Sequence, residues 1–472
     1  MSTPLIWIII PIALAVLLIP LQGKPKLSYP ITCLISLILT LLAWFFPNDL
    51  VFLADGRRIE IADQILIFGR SLQLEGVDLT MVGLLYLVNF LWNLGGSFYK
   101  PSTWFNTLSL IITALWITAL AVQPFLYAAV VVELIALLSV PLLSPRGEKT
   151  SRGLLYYLVF QTLAMALILM SGWMLSGIGT APSTNPLIIR SAMMVLFGFA
   201  LWLGAFPFHS WIPIISQHGH PWVVTFLLYS MQTTLVVFFL YFLDQYAWLR
   251  SLPQLYESLQ LMGVIMIAVA GILAALQTNL SRQFAYFFLA ETGYSILSIG
   301  LTEQGGLSYL VMLFLPRMLS YWLWAWSISA LRKLAPEKNL ELTSLAGLFQ
   351  QFPFISAGIL ASQLSLIGLP LLPIFPVKQM IWYLVPYQGM GTSPWIVLGI
   401  LGMLISMMRF VRQFSTPVPE TTEKPVSSEP LSVVVPICII LVIFLVIGLF
   451  PQLALPKFVD ILAPFVHLLP SS

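Results

Sequence analysis

Apolar residues run along this chain in long stretches, without the polar–apolar alternation that marks half-buried strands. A helix needs about 20 predominantly apolar residues to span a bilayer. Fourteen stretches read as such helices, near 5–21, 29–46, 78–98, 104–121, 124–143, 154–175, 189–210, 221–243, 260–278, 283–301, 307–331, 354–385, 394–411 and 431–450. The pattern predicts an all-α polytopic membrane protein of about 14 transmembrane helices and argues against a barrel. Polar interruptions are short except at 47–77, rich in acids and arginines, and at 412–430, where PVPETTEKPVSSEP reads as a flexible connection. The first stretch lacks a basic n-region, so it is expected to be retained rather than cleaved as a signal peptide.

Composition agrees. Of the 472 residues, 59% are hydrophobic and 8% charged, whereas a soluble domain carries about 25% charge. So few charges cannot cover a surface facing water. The net charge of +3 says little about partners, and nothing in the chain points to nucleic acid. Cys33 and Cys438 both fall in apolar runs and read as buried packing. No CxxC pair, P-loop or GxGxxG is present to hold an iron–sulfur cluster, nucleotide, flavin or NAD, so no cofactor is expected in this chain. His218 and His220, in QHGHPW, lack a third ligand nearby and read as loop histidines; no metal site is expected.

Lysine and arginine bias sets the orientation. Segments after odd-numbered runs hold thirteen basic residues, among them Lys24, Lys100, Arg146, Lys149, Arg332, Lys338, Arg409 and Lys424. Segments after even-numbered runs and the C-terminal tail hold six: Arg57, Arg58, Arg70, Arg190, Arg250 and Lys457. Odd segments are therefore expected in the cytoplasm, with both termini outside. The other two of the 21 basic residues, Arg317 and Lys378, lie inside apolar runs, as do Glu133 and Glu291, with Asp78 at a run's start.

A charge at mid-bilayer costs about 2.5–3.5 kcal/mol even on the lenient insertion scale, so such residues normally face a bundle interior or a hydrated path. Glu133, in AAVVVELIALLSV, is a candidate proton- or ion-handling carboxylate. Lys378 ends LSLIGLPLLPIFPVK, whose prolines free carbonyls and imply a helix broken at a hydrated point. In FALWLGAFPFHSWIP, Pro207 and Pro213 interrupt the seventh run beside His209, which titrates near neutral pH. Glu291 and Arg317 could form a buried pair between the tenth and eleventh runs, or belong to a relay.

At these residues the chain resembles the antiporter-like membrane subunits of respiratory complex I (NADH–quinone oxidoreductase), related hydrogenases and Mrp sodium/proton antiporters. VVVELIALLSVPLL resembles the fifth-helix segment with the key glutamate, and GAFPFHSWIP the PFHxWLP signature. ALQTNLSRQFAYFFLAETGYSILSIG is similar to the block reading close to DLKRLLAYSSISHMGY. LSLIGLPLLPIFPVK resembles the twelfth-helix ending GIPPLxGFxxK, and IGLFPQ closes the fourteenth helix as in the family. The likeness spans roughly residues 70 to 455. It implies two five-helix repeats of inverted topology, 104–243 and 260–411, with helices 7 and 12 broken at Pro207 and at Pro370 and Pro373, followed by the 412–430 connection and a last helix at 431–450.

The resemblance implies an ion-translocating subunit, for protons or for sodium, of a complex I-like or Mrp-like assembly in a bacterial plasma membrane or another energy-transducing membrane. Its partners would be other membrane subunits, and any redox chemistry would be theirs. Glu133 and Lys378 take the places of the family's glutamate and lysine, with His209, Glu291 and Arg317 as further translocation candidates. Departures from the pattern imply an alternative, a non-conducting assembly subunit. Trp202 stands where the seventh-helix lysine belongs, and PWVVTFLLYSMQTTLVVFFLYF contains no basic residue at all. The family's lysine–arginine step reads Ser281–Arg282, its histidine reads Glu291, and Arg317 is the nearest counterpart of its eleventh-helix lysine or histidine.

Overall fold

A computed structural model describes residues 2–45, 64–67, 69–74, 79–144, 151–175, 186–252, 254–336, 339–385, 391–417 and 429–468. Asp78, Arg57, Arg58, Arg146, Lys149, Lys338, Lys424 and most of the 412–430 connection lie outside the described residues. Nine helices among those described are long and apolar enough to cross a membrane: Pro25–Phe45, Leu79–Tyr99, Phe125–Leu143, Arg152–Met174, Pro221–Gln245, Leu255–Leu276, Gly306–Leu334, Ser393–Ser415 and Leu431–Leu449. Leu5–Leu17, Phe105–Ala121, Pro186–Trp202 and Pro353–Ile367 are shorter apolar helices. The protein is an integral membrane protein.

Helix Leu280–Gly300 is as long as a span but less apolar. Its polar residues Gln283, Glu291, Thr292, Ser295 and Ser298 are all buried, so it is enclosed by protein rather than facing lipid. Asn279 starts it by accepting from the backbone N–H groups of Ser281 and Arg282 at 3.0 and 3.2 Å, which satisfies two amides that the first turn leaves open. Two apolar runs are not continuous helices. The seventh stops at Trp202 and resumes as Trp211–His218, with Pro207 between. The twelfth stops at Ile367 and resumes as Phe375–Leu384.

Beside the helices, Gln64–Ile67, Arg70–Gln73 and Val122–Gln123 form a small antiparallel sheet in that order. Strands of two to four residues are too short to show alternation.

The chain divides into two compact units. The first comprises Met1–Leu203, Phe226–Leu252 and Asp460–Leu469. Within it, neutral polar side chains bind three helices together. Ser36 donates to Asn89 at 2.9 Å, Asn89 to Thr113 at 2.9 Å, and Asn93 to Ser109 at 3.0 Å. Between helices surrounded by lipid, such bonds and close contacts of small residues replace the missing hydrophobic drive. The second unit comprises Gly204–Thr225, Pro253–Val459 and Pro470–Ser472. Here glycines provide the close contacts: a Cβ on Gly271 of helix Leu255–Leu276 would collide with the backbone of Gly399 in helix Ser393–Ser415.

Candidate functional site: a buried carboxylate between two cations

The second unit brings Glu291, Arg317 and Lys378 together. They come from helices Leu280–Gly300, Phe314–Leu334 and Phe375–Leu384, and their side chains are only 0, 2 and 6% exposed. Arg317 Nε lies 2.5 Å from Glu291 Oε2, and Lys378 Nζ lies 2.5 Å from Glu291 Oε1. One carboxylate is shared by two cations: Glu291 and Arg317 are paired, and Lys378 is a third member.

Each cation has further partners. Arg317 also donates to Ser295 Oγ at 2.6 Å and to the Glu291 carbonyl at 2.8 Å. Glu291 and Ser295 are one helical turn apart, so the guanidinium fork grips a single face of that helix. Lys378 donates to the Leu366 carbonyl as well, and its ammonium lies 4.2 Å from the centre of the Tyr294 ring. The Leu366 carbonyl is available for a simple reason. In a continuous helix it would accept from residue 370, which is proline and has no N–H. Gly368, at φ +88°, turns the chain out of the helix there, and its missing side chain leaves room for the lysine stem.

A second buried string in this unit contains only neutral groups. Gln363 donates to Gln283 at 2.9 Å, Gln283 to Ser406 at 2.9 Å, and Ser406 to the Ala274 carbonyl at 2.7 Å.

The other candidates lie apart from the triad's contacts. His209 stacks on Phe206, with centroids 4.9 Å apart, and faces Tyr286 at 6.2 Å. It lines a small cavity of about 10 Å³ with Gly204, Met266 and Leu289, and its Nδ1 has no partner in the protein. Glu133 belongs to the first unit. It is intermediate in exposure: its Oε2 is buried with no hydrogen-bond partner among the described residues, while Leu134 and Leu137 on the same helix are exposed. Thr162 donates to its Oε1 at 2.7 Å, and among the described residues no cation pairs with it. Trp202 is wholly buried against Phe199 and Phe238.

The loop histidines separate as well. His218 ends helix Trp211–His218, and His220 Nδ1 accepts from the backbone N–H of Trp222 at 3.3 Å. Burial, with the Arg332 guanidinium, pushes the His220 pKa down to about 4. Among the described residues no group of three or more His, Cys, Asp or Glu could hold a metal ion.

Sequence reasoning missed Tyr294, Ser295 and the Leu366 carbonyl. Two of these had a signal: Ser295 stands four residues after Glu291 on the same face, and Pro370 marks the unpaired carbonyl four residues before it.

Comparison with known proteins shows what kind of chain carries this site. The profile described as NADH:quinone oxidoreductase/Mrp antiporter, TM, matches residues 126–409, more than half of the chain. The chain belongs to that family. It is 25% identical over 448 residues to NADH-quinone oxidoreductase subunit 14 of Thermus thermophilus, covering 91% of this chain and 99% of that protein. To NADH-quinone oxidoreductase subunit N of Psychrobacter arcticus it is 29% identical over 237 residues, 49% of this chain and 47% of the relative. The match to subunit N of Moorella thermoacetica, 28% identical, covers 58% of each protein. The chain thus spans about half the length of these last two relatives. Among solved structures, the fold resembles a chain of the Mrp complex from Dietzia sp., with TM-score 0.79 at 16% identity over 98% of this chain and 97% of that one. It also resembles a chain of respiratory complex I from Thermus thermophilus, with TM-score 0.72 at 21% identity over 97% of this chain and all of that one.

Proposed function

We propose that this protein is an ion-translocating membrane subunit of a complex I-like or Mrp-like assembly, and that its second unit carries the ion step. The proton is the favoured ion and sodium the alternative. Its partners are the other membrane subunits of that assembly, and its place is a bacterial plasma membrane or another energy-transducing membrane with both termini outside. Two inverted five-helix repeats, 104–243 and 260–411, would supply the two half-paths.

One observation carries this reading: a lysine and an arginine share one carboxylate inside a membrane-spanning bundle. Arginine keeps its proton in proteins, whereas a buried lysine changes charge readily. The Arg317–Glu291 pair is therefore the fixed part, neutral in sum. Lys378 is the variable part, adding one positive charge when protonated and none after release. A buried group that alternates in this way couples to any charge moved nearby, because attraction and repulsion are weakly screened away from water. The coupling signal would come from a partner's redox step or from counter-ion flux, since this chain is read as doing no redox chemistry itself.

The alternative, a non-conducting assembly subunit, is favoured in the first unit by the buried Trp202 and by Glu133 without a described cationic partner. Lys378→Ala separates the two readings. In vesicles containing the assembled complex, the conducting subunit loses ion uptake with this substitution. Full uptake at normal assembly would leave the assembly role.

A further inference from the structure

We infer that Gly448, on the last helix, is a positioning residue for Lys378; this rests on the reading of Lys378 as the carrier. Seven residues, 368–374, join Pro353–Ile367 to the helix that bears Lys378. Two of them hold left-handed backbone, Gly368 at φ +88° and Leu371 at φ +70°. Glycine takes that conformation freely, but leucine holds it only where the surroundings impose it.

The backbone of Leu371 lies against Gly448. A Cβ built there would fall on the carbonyl of Leu371 and lie 3.0 Å from the amide nitrogen of Leu372. The opposing atoms are backbone and cannot swing aside like the end of a side chain. The helix Leu431–Leu449 that presents Gly448 is itself tied to the site. Trp326, on the same helix as Arg317, donates its indole N–H to the Val433 carbonyl at 3.3 Å. A Cβ on Gly358, in the helix before the break, would meet Ile437 at 3.4 Å. The last helix is thus a strut between the arginine's helix and the loop that leads to the lysine. Gly448 sets how closely that loop approaches, and with it how Lys378 meets Glu291 and the Leu366 carbonyl. This also gives a physical reason for a glycine in the IGLFPQ segment.

The experiment compares proton uptake against pH in vesicles carrying the assembled complex, with uptake normalised to assembly. Gly448→Ala is expected to lower uptake by about tenfold or more, as a displacement approaching 1 Å at a reacting group can cost about a hundredfold. It should also move the midpoint of the pH profile, because the lysine meets a changed set of partners. Adding Leu371→Gly should restore both, since glycine lets the loop carbonyl yield. Leu445→Ala, on the exposed side of the same helix, should behave as the unaltered protein.

A Gly448→Ala profile with an unmoved midpoint overturns the inference, whatever the rate. If Gly448→Ala alone does not assemble, Leu371→Gly alone must move the midpoint, and an unmoved one again overturns it. Uptake that survives Lys378→Ala removes the carrier reading itself. Uptake lost with Lys378→Ala but unmoved in midpoint with Gly448→Ala removes only the role of Gly448.

Discussion

Lys378 donates to the carbonyl of Leu366, the acceptor that Pro370 leaves unpaired. The broken helix and the buried lysine are therefore one device: the break supplies an oxygen, and the lysine uses it. Pro370→Ala tests this. Alanine brings an N–H that competes for the Leu366 carbonyl and favours continuing the helix. Ion uptake is expected to fall several-fold while assembly is kept, because Pro370 is an exposed residue of the 368–374 connection, outside both helices. Uptake at the unaltered level would show that the lysine does not depend on this carbonyl.

The triad predicts an asymmetry in stability. Glu291→Gln removes the carboxylate between Arg317 and Lys378 and should destabilise the protein by about 3–5 kcal/mol, the usual penalty for breaking a buried ion pair. Lysine can then shed its proton, but arginine cannot. Adding Arg317→Met should recover most of the lost stability, since it removes the buried charge that cannot shed its proton. Ion uptake should not return. Denaturation midpoints of the two variants in detergent, read against uptake, check both halves; equal stability of the single and double variants would mean that Arg317 is not held by Glu291.

How much of this was legible in the sequence follows from which interactions are local. Helices follow from unbroken apolar runs, and the break before Lys378 follows from its prolines. Glu291 and Arg317 could be named as partners because few charges are buried and a buried charge needs an opposite one. That Lys378 joins the same carboxylate was not legible, because three separate helices meet only in the folded unit. The partial exposure of Glu133 was not legible either. Its apolar neighbours do not distinguish a bundle interior from a lipid-facing surface, since both are equally apolar.

His220 offers a control for any pH profile. Its pKa is pushed down to about 4, below the ordinary value near 6.5. The folded loop therefore binds no proton there until pH falls towards 4, while the unfolded chain binds one from about 6.5 downward. The folded state loses relative stability across that window and is unaffected above it. At neutral pH His220 is uncharged, so His220→Gln should leave the uptake profile above pH 6.5 unchanged. A moved midpoint would mean that this histidine titrates with the carrier.

Orientation can be checked by labelling. With thirteen basic residues after odd-numbered runs against six after even-numbered runs and in the C-terminal tail, the 144–153 and 332–345 segments are expected in the cytoplasm and both termini outside. A cysteine introduced at Lys149 should resist an impermeant thiol reagent added to intact cells, and one near Arg57 should react. The reverse pattern would invert the assignment.

The two units should respond differently to substitution. In the first, Trp202 stands where the sequence resemblance implies a lysine. Its indole is fully buried against Phe199 and Phe238, with an N–H but no group that takes up a proton at ordinary pH. Trp202→Phe keeps an aromatic ring but leaves a cavity where the larger indole was, so it should change ion uptake by less than about twofold and lower stability by about 1–2 kcal/mol. His209→Ala removes a histidine stacked on Phe206, with no ionic partner among the described residues, and should lower uptake modestly. Lys378→Ala removes the group that changes charge in the triad and should abolish uptake. All three variants can be read in one proton-uptake assay normalised to assembled complex. If His209→Ala or Trp202→Phe stopped transport while Lys378→Ala left it intact, the ion step would belong to the first break rather than the second. Three silent variants would instead mark the chain as a subunit kept for assembly.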